Sequence, residues 1–308
     1  MKNLSSLTIP ALIKHQAENL GSKPALISDY ETLSFLELDN LSTNIATHLI
    51  DLNILPGDRV AIWAPNMNEW VLAAIAIHKV GGVLVPINTR MKGKEAAYIL
   101  NNSESKILFS VNTFLGTDYF QLLENEDLPY LKYQISLDET EAKDSKISFS
   151  TLKDKTVDVQ LPEVIETDMA DIIFTSGTTG KPKGVISTHL QNIKVFDYWS
   201  TYIGLNESDR YLIVNPFFHT FGYKAGWLAA LMRGVTAYPC PIFDADKIIQ
   251  TINKEKISML PGPPTLYQSI LTSQLIETMD ISSLRLGVTG AASIPIQLIK
   301  DMKETLGF

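Results

Sequence analysis

Cysteine is all but missing from this chain of 308 residues: Cys240 stands alone. That excludes an internal disulfide, and no Cys/His spacing has the form of a zinc site. Long apolar runs are missing too. The most apolar stretch, Trp70–Ile87, is interrupted by His78, Lys79, Gly81 and Gly82, short of the ~20 residues that span a bilayer. The leading MKNLSSLTIPALIKHQ holds no apolar segment followed by a small-residue cleavage site, so no secretory signal is read there. No basic block occurs, which argues against a nucleic-acid partner. Internal repeats, low-complexity tracts, GxGxxG, GxSxG and HExxH are all absent, removing the commonest dehydrogenase and hydrolase readings. The expectation is a soluble, cytoplasmic protein with no metal site of its own.

What remains is an ordinary globular composition, 45% hydrophobic and 19% charged, with 17 Gly, 15 Pro and a net charge of −8. Disorder, collagen and coiled coil are excluded as global descriptions. The charge is uneven. Residues 118–171 hold 14 acidic residues and 5 lysines, a net −9 that leaves the remainder close to neutral. Residues 118–170 therefore read as an acidic, solvated excursion joining two better-packed parts, 1–117 and 171–308.

The hydrophobic pattern alternates strands with helices. Short buried strands are predicted at Pro24–Ser28, Asp58–Pro65, Val83–Pro86, Lys106–Ser110, Asp171–Phe174, Tyr211–Val214, Val235–Tyr238, Ile257–Leu260 and Arg285–Val288. Helices are predicted at Leu36–Leu55, Trp70–Val80, Lys94–Asn102, His189–Gly204, Ala225–Arg233, Ala245–Lys254 and Pro264–Ser273. Such alternation predicts a layered α/β fold rich in parallel strands. Ligands in these folds sit beyond the carboxyl ends of the strands.

One such position carries Thr175-Ser176-Gly177-Thr178-Thr179-Gly180-Lys181-Pro182-Lys183-Gly184, directly after the strand DIIF. Its glycines permit close backbone approach to a ligand. Backbone amides, hydroxyls and lysine together can surround an oligophosphate. The loop is not a Walker A sequence, because the fifth residue after Gly177 is Pro182 where that pattern needs glycine. Composition alone also allows a polar surface turn.

This loop resembles the signature phosphate loop of the adenylate-forming (AMP-binding) superfamily. Other segments resemble the same family in the same order: LSFLELDNLS at Leu33–Ser42, HKVGGVLVPIN at His78–Asn88, NPFFHTFG at Asn215–Gly222, PGPPTLY at Pro261–Tyr267 and TGAASIP at Thr289–Pro295. The pattern is most similar to fatty-acid and other carboxylic acid:CoA ligases. The resemblance implies a layered α/β/α adenylation-domain fold of the acetyl-CoA synthetase kind. It implies ATP-dependent activation of a small-molecule carboxylic acid, with a fatty acid as the modal substrate, to acyl-AMP and then acyl-CoA. ATP, CoA and Mg²⁺ carried by the ATP are the implied cofactors. A homodimer and a peripheral membrane contact are both compatible with it.

By the same resemblance, Thr175, Ser176, Gly177, Thr178, Thr179 and Gly180 hold the β and γ phosphates, with Lys183 as their electrostatic partner and Lys181 facing solvent. His219 positions the substrate carboxylate; without the resemblance it would read as a packing residue. Gly290, Ala291 and Ala292 form a thin wall against adenine, although a tight strand-to-helix turn explains them equally well. Phe218, Tyr223, Gly226, Trp227, Gly262, Pro263 and Tyr267 are expected to line the acyl channel, each being also compatible with plain core. His219 and Lys183 are the catalytic candidates.

The similarity ends at Leu306-Gly307-Phe308, before the family's Tyr-Gly-x-Thr-Glu motif, its ribose aspartate, its hinge and its small carboxyl-terminal domain with a catalytic lysine. The chain is therefore expected to be the leading, incomplete part of a large N-terminal AMP-binding domain, with little turnover of its own. Two other readings stay open: an aryl-acid or amino-acid adenylation domain, and a nucleotide-binding module without catalysis.

Overall fold

Helix-starting signals in the sequence are met by real caps. In the computed structural model, which describes residues 8–138, 147–154, 157–175, 180–290 and 293–308, Thr8 caps α1 (Ile9–Leu20) by accepting from the Ala11 amide. After the hairpin β1 (Pro24–Ile27) and β2 (Thr32–Ser34) comes α2 (Phe35–Asp51), opened by a reciprocal Ser34–Glu37 capping box. Such boxes satisfy two otherwise orphaned amides. Next come β3 (Arg59–Trp63), α3 (Asn68–Lys79), β4 (Val83–Pro86), α4 (Gly93–Asn102) and β5 (Ile107–Ser110). A small hairpin, β6 (Thr113–Phe114) and β7 (Thr117–Asp118), precedes β8 (Tyr133–Ser136), β9 (Ile147–Ser148) and α5 (Phe149–Asp154). Then follow β10 (Met169–Thr175), β11 (Lys183–Thr188), α6 (His189–Tyr202) and β12 (Arg210–Ile213). A π-helical segment, Phe221–Leu228, runs into α7 (Ala229–Met232), and β13 (Thr236–Pro239), α8 (Ala245–Glu255), α9 (Pro264–Leu271) and α10 (Ile296–Leu306) complete the order.

Two sheets organise these elements. The larger has the order β11–β10–β4–β3–β5–β8–β9, parallel throughout except for the β10–β11 hairpin. The smaller has the order β12–β13–β1–β2, in which only β2 is antiparallel. Single parallel bridges, Tyr211 to Met259 and Met259 to Leu286, extend it past β12. Parallel strands buried on both faces should read as continuous apolar runs, and Val83–Pro86 and Ile107–Ser110 do, every residue being buried. Helix α3 is buried at all twelve positions and packs on α2, β3 and β4. The layered, parallel-rich expectation is met.

Four expectations need correction. The acidic stretch is no solvated excursion: it supplies β8 and β9 to the larger sheet and buries Tyr119, Ile135, Leu137, Phe149 and Leu152. Both sheets also combine strands from 1–117 with strands from 171–308. Ile257–Leu260 and Arg285–Val288 form one bridge residue each and no ladder. The helix expected at Ala225–Arg233 begins earlier, as the π-helical segment, and departs from helical angles at Gly226 (φ −84°, ψ −107°).

Candidate active site

The loop singled out by its glycines and hydroxyls is the tip of the β10–β11 hairpin. Register runs from Asp171↔Ser187 to Thr175↔Lys183. Gly180 takes φ +91°, a conformation closed to most side chains. Thr175, Gly180, Lys181 and Lys183 are all exposed, so exposure does not separate the two lysines. Ser176, Gly177, Thr178 and Thr179 lie outside the described residues.

The second element is the aromatic-histidine loop after β12. Asn66, just past the carboxyl end of β3, donates through Nδ2 to the carbonyls of Ile213 (3.1 Å) and Asn215 (3.0 Å) and accepts from the Phe217 amide (2.8 Å). One side chain thus ties this loop to the larger sheet. A Cβ on Gly222 would overlap the carbonyl oxygens of Asn215 and Pro216, so only glycine allows the close turn here. The exposed His219 packs against the Phe218 ring at 4.7 Å. Partial burial first, and then the Arg90 charge, hold its imidazole below the usual range. It is therefore neutral near pH 7.

Beside these loops lies a cavity of about 840 Å³. Of the predicted acyl-channel and adenine-side residues, Phe218, Gly262, Pro263 and Gly290 line it. Ala291 and Ala292 lie outside the described residues. Tyr223, Gly226, Trp227 and Tyr267 are placed in the core instead of on the cavity surface, which corrects their expected position. Tyr223 and Trp227 are fully buried and stack at 4.9 Å, and Tyr223 shares a 2.9 Å hydrogen bond with His78 Nε2. Gly226 abuts Ile213. Tyr267 donates to the Leu260 carbonyl at 2.5 Å. Aromatic bulk near a motif is a weak pocket signal, because large buried rings fill cores as well.

Three lining segments went unpredicted: Thr89–Lys92, Phe114–Thr117 and Pro241–Phe243. The available signal was topological. Each follows the carboxyl end of a parallel strand, namely β4, β5 and β13, where α/β folds place ligands. The cavity wall is mainly apolar, with Phe221, Ile242, Phe243 and Leu266 among its members, and Arg90 and Lys92 are its charged residues. Among the described residues no Asp or Glu lines it. The side-chain oxygens of Asn215 and Thr289, two lining residues, are buried without a hydrogen-bond partner.

The AMP-binding enzyme family profile matches residues 13–308. The chain belongs to this family. Its relatives put it in the acyl-CoA synthetase branch of the adenylate-forming superfamily. It is 39% identical to the 3-[(3aS,4S,7aS)-7a-methyl-1,5-dioxo-octahydro-1H-inden-4-yl]propanoyl:CoA ligase of Rhodococcus jostii, over 98% of this chain and 61% of that protein. The Mycobacterium tuberculosis ligase of the same name is also 39% identical, over 97% of this chain and 60% of its own length. The chain thus spans about three-fifths of these curated relatives. Among solved structures, the anthranilate CoA ligase AuaEII in complex with anthranoyl-AMP superposes with a TM-score of 0.90 at 25% identity, covering 98% of this AMP-binding chain and 58% of that one. The inhibitor-bound N-terminal domain of FACL13 from M. tuberculosis gives 0.86 at 26% identity, covering 96% and 73%.

The family implies magnesium, carried on ATP. Among the described residues no group of three His, Cys, Asp or Glu side chains could hold a metal ion. Magnesium carried on a nucleotide takes most of its ligands from phosphates and water, and the roles assigned to this chain are those of its own groups. No helix among the described residues is long and apolar enough to cross a membrane.

Proposed function

We propose that the protein to which this chain belongs is an acid:CoA ligase acting in the cytoplasm. It converts a carboxylic acid and ATP to acyl-AMP and pyrophosphate, then acyl-AMP and CoA to acyl-CoA and AMP. A carboxylate oxygen forms the new bond to the α-phosphorus while the bond to pyrophosphate breaks. The CoA sulfur then attacks the acyl carbonyl and AMP leaves. Two anions meet in the first step, so positioning and neutralisation of charge dominate. In this reading Lys183 and the hairpin tip hold the β and γ phosphates, Gly290 lies against adenine, and neutral His219 orients the carboxylate. An ionised carboxylate needs no base, so His219 transfers no proton.

One observation carries the proposal: NPFFHTFG, PGPPTLY and TGAASIP, far apart in sequence, converge on a single cavity. Its size and apolar wall suit a bulky acid, as in the propanoates named for the bacterial relatives. An amino-acid substrate would need an acidic partner for its ammonium group, and the described lining residues supply none. Acid-dependent exchange of labelled pyrophosphate into ATP, run with fatty, aryl and alicyclic propanoic acids, tests the proposal. Exchange with the alicyclic acids is expected. Amino acids as the preferred substrates, or no acid-dependent exchange in the native protein, would refute it.

A further inference from the structure

Between the β10–β11 hairpin and the π-helical segment the fold buries a charge pair that none of these steps uses. Asp171, in β10, has a fully buried side chain, and Lys224, in the π-helical segment, is 6% exposed. Lys224 Nζ lies 2.8 Å from Asp171 Oδ1 and donates to Ser187 Oγ at 2.9 Å. Asn192 Nδ2, from α6, donates to the other carboxylate oxygen at 2.6 Å. Burial of such a pair is weak evidence for stability, since apolar replacements of similar volume are often neutral or stabilising. Something other than stability must account for it.

Its position suggests what. Asp171 and Ser187 are register partners across the β10–β11 hairpin, so Lys224 holds both strands at the base of the loop assigned to the phosphates. Lys224 also stands five residues after His219, and the Tyr223 amide donates to the His219 carbonyl at 2.9 Å. A single ammonium group therefore links the nucleotide-side hairpin to the acid-side loop. The π-helical winding matters here, because every residue from Gly222 to Leu228 is buried and Lys224 is thereby directed inward. Such single-turn π segments are frequent at functional sites.

We propose that Lys224, through Asp171 and Ser187, is a positioning residue that fixes the phosphate loop relative to His219, so that carboxylate and α-phosphate meet in line. The proposal rests on the adenylation reading. A misplacement of about 1 Å between reacting groups can lower a rate by ~10²-fold, so a rigid tie of this kind has consequences without touching substrate.

The test is the neutral pair Lys224→Met with Asp171→Asn, which removes both charges together and leaves Asn192 an acceptor. A first measurement needs no ligand. In a Cys240→Ser background, spin labels replace the exposed Lys181 and Thr220, and their distance distribution is expected to broaden in the double variant while the melting temperature stays nearly unchanged. A second compares a bridging ligand, cyclohexylpropanoyl-sulfamoyladenosine, with its pieces, AMP and cyclohexylpropanoate, by calorimetry. The bridged ligand should weaken by roughly thirty-fold and each piece by less than about two-fold. Unaltered label distances, or equal weakening of bridge and pieces, would overturn the clamp. A native protein that binds the pieces but gains nothing from the bridge would instead refute the adenylation reading, and the clamp's purpose with it.

Discussion

Acid should loosen this fold through two buried histidines. His78 and His189 cross edge to face at 5.3 Å and 74°. His78 Nε2 meets the Tyr223 hydroxyl and His189 Nδ1 accepts from the Ile9 amide at 3.3 Å, while His78 Nδ1 and His189 Nε2 are buried without a partner among the described residues. A second proton on either ring therefore finds no acceptor. Burial lowers His189 from 6.5 to about 4, against a smaller opposing pull from Asp168. Burial, then His189 and Lys224, hold His78 well below its usual value. The unfolded chain takes up these protons near its ordinary histidine value, whereas in the folded chain burial holds off the His189 proton until about pH 4 and keeps His78 neutral well below its usual range. Stability is thus full above ~6.5 and falls as pH drops through that window. Between about pH 7 and pH 5 His189 accounts for ~2 kcal/mol, and His78 adds to it in the same direction. That is a large share of the ~5–15 kcal/mol typical of a folded domain. Glu69 and Asp138, whose carboxyls burial pushes up, act in the opposite direction. The informative quantity is therefore the slope of urea-unfolding free energy against pH in the parent, compared with His189→Gln and with His78→Asn/His189→Gln. The single change should remove part of the extra slope and the double nearly all of it. Equal slopes in all three proteins would refute the argument.

Other outcomes follow from named contacts. Lys183→Ala should weaken ATP binding, by calorimetry or ligand-observed NMR, with a salt dependence expected of an exposed charge, and Lys181→Ala should do so less. Gly222→Ala should lower stability by about 1–3 kcal/mol and displace His219, visible as a shifted imidazole NMR resonance, because its Cβ overlaps two carbonyl oxygens. Trp227→Ala should destabilise by about 3–5 kcal/mol without changing the ranking of acids. Phe218→Ala, at the cavity wall, should instead shift that ranking toward bulkier acids in the pyrophosphate-exchange assay.

The legible parts of the sequence were those where local pattern and local structure coincide. Val83–Pro86 is a strand at its predicted bounds, and TSGTTGKPKG follows a strand end as its glycines and hydroxyls suggested. Motif order pointed to Phe218, Gly262, Pro263 and Gly290, which line the cavity, and to His219, which does not line it but is the chain neighbour of Phe218. What stayed hidden depends on distant partners. Tyr223 and Trp227 look like pocket aromatics until His78 and Trp70, some 150 residues earlier in the chain, are seen packed against them. The net charge of the whole stretch concealed β8, since Tyr133–Ser136 is short and lies in a carboxylate-free island, residues 128–137, inside it. Arg90 carried no signal of its own. Its place beyond the end of β4 shows only once the strand order is known. Asp171 and Lys224, 53 residues apart, offered no local hint of pairing.

The phosphate-loop hairpin closes the larger sheet with β11 as its outermost strand, and Val185 and Ile186 there are 51% and 55% exposed. An outermost strand offers free amides and carbonyls to any chain that can lie alongside. Whatever docks on β11 would grip the strand that begins at Lys183 and, on the role proposed for that lysine, would bear on its hold on ATP from outside the cavity. Assembly at this margin and capture of nucleotide are then two readings of one dial, so a partner recruited for purely architectural reasons would also retune the chemistry.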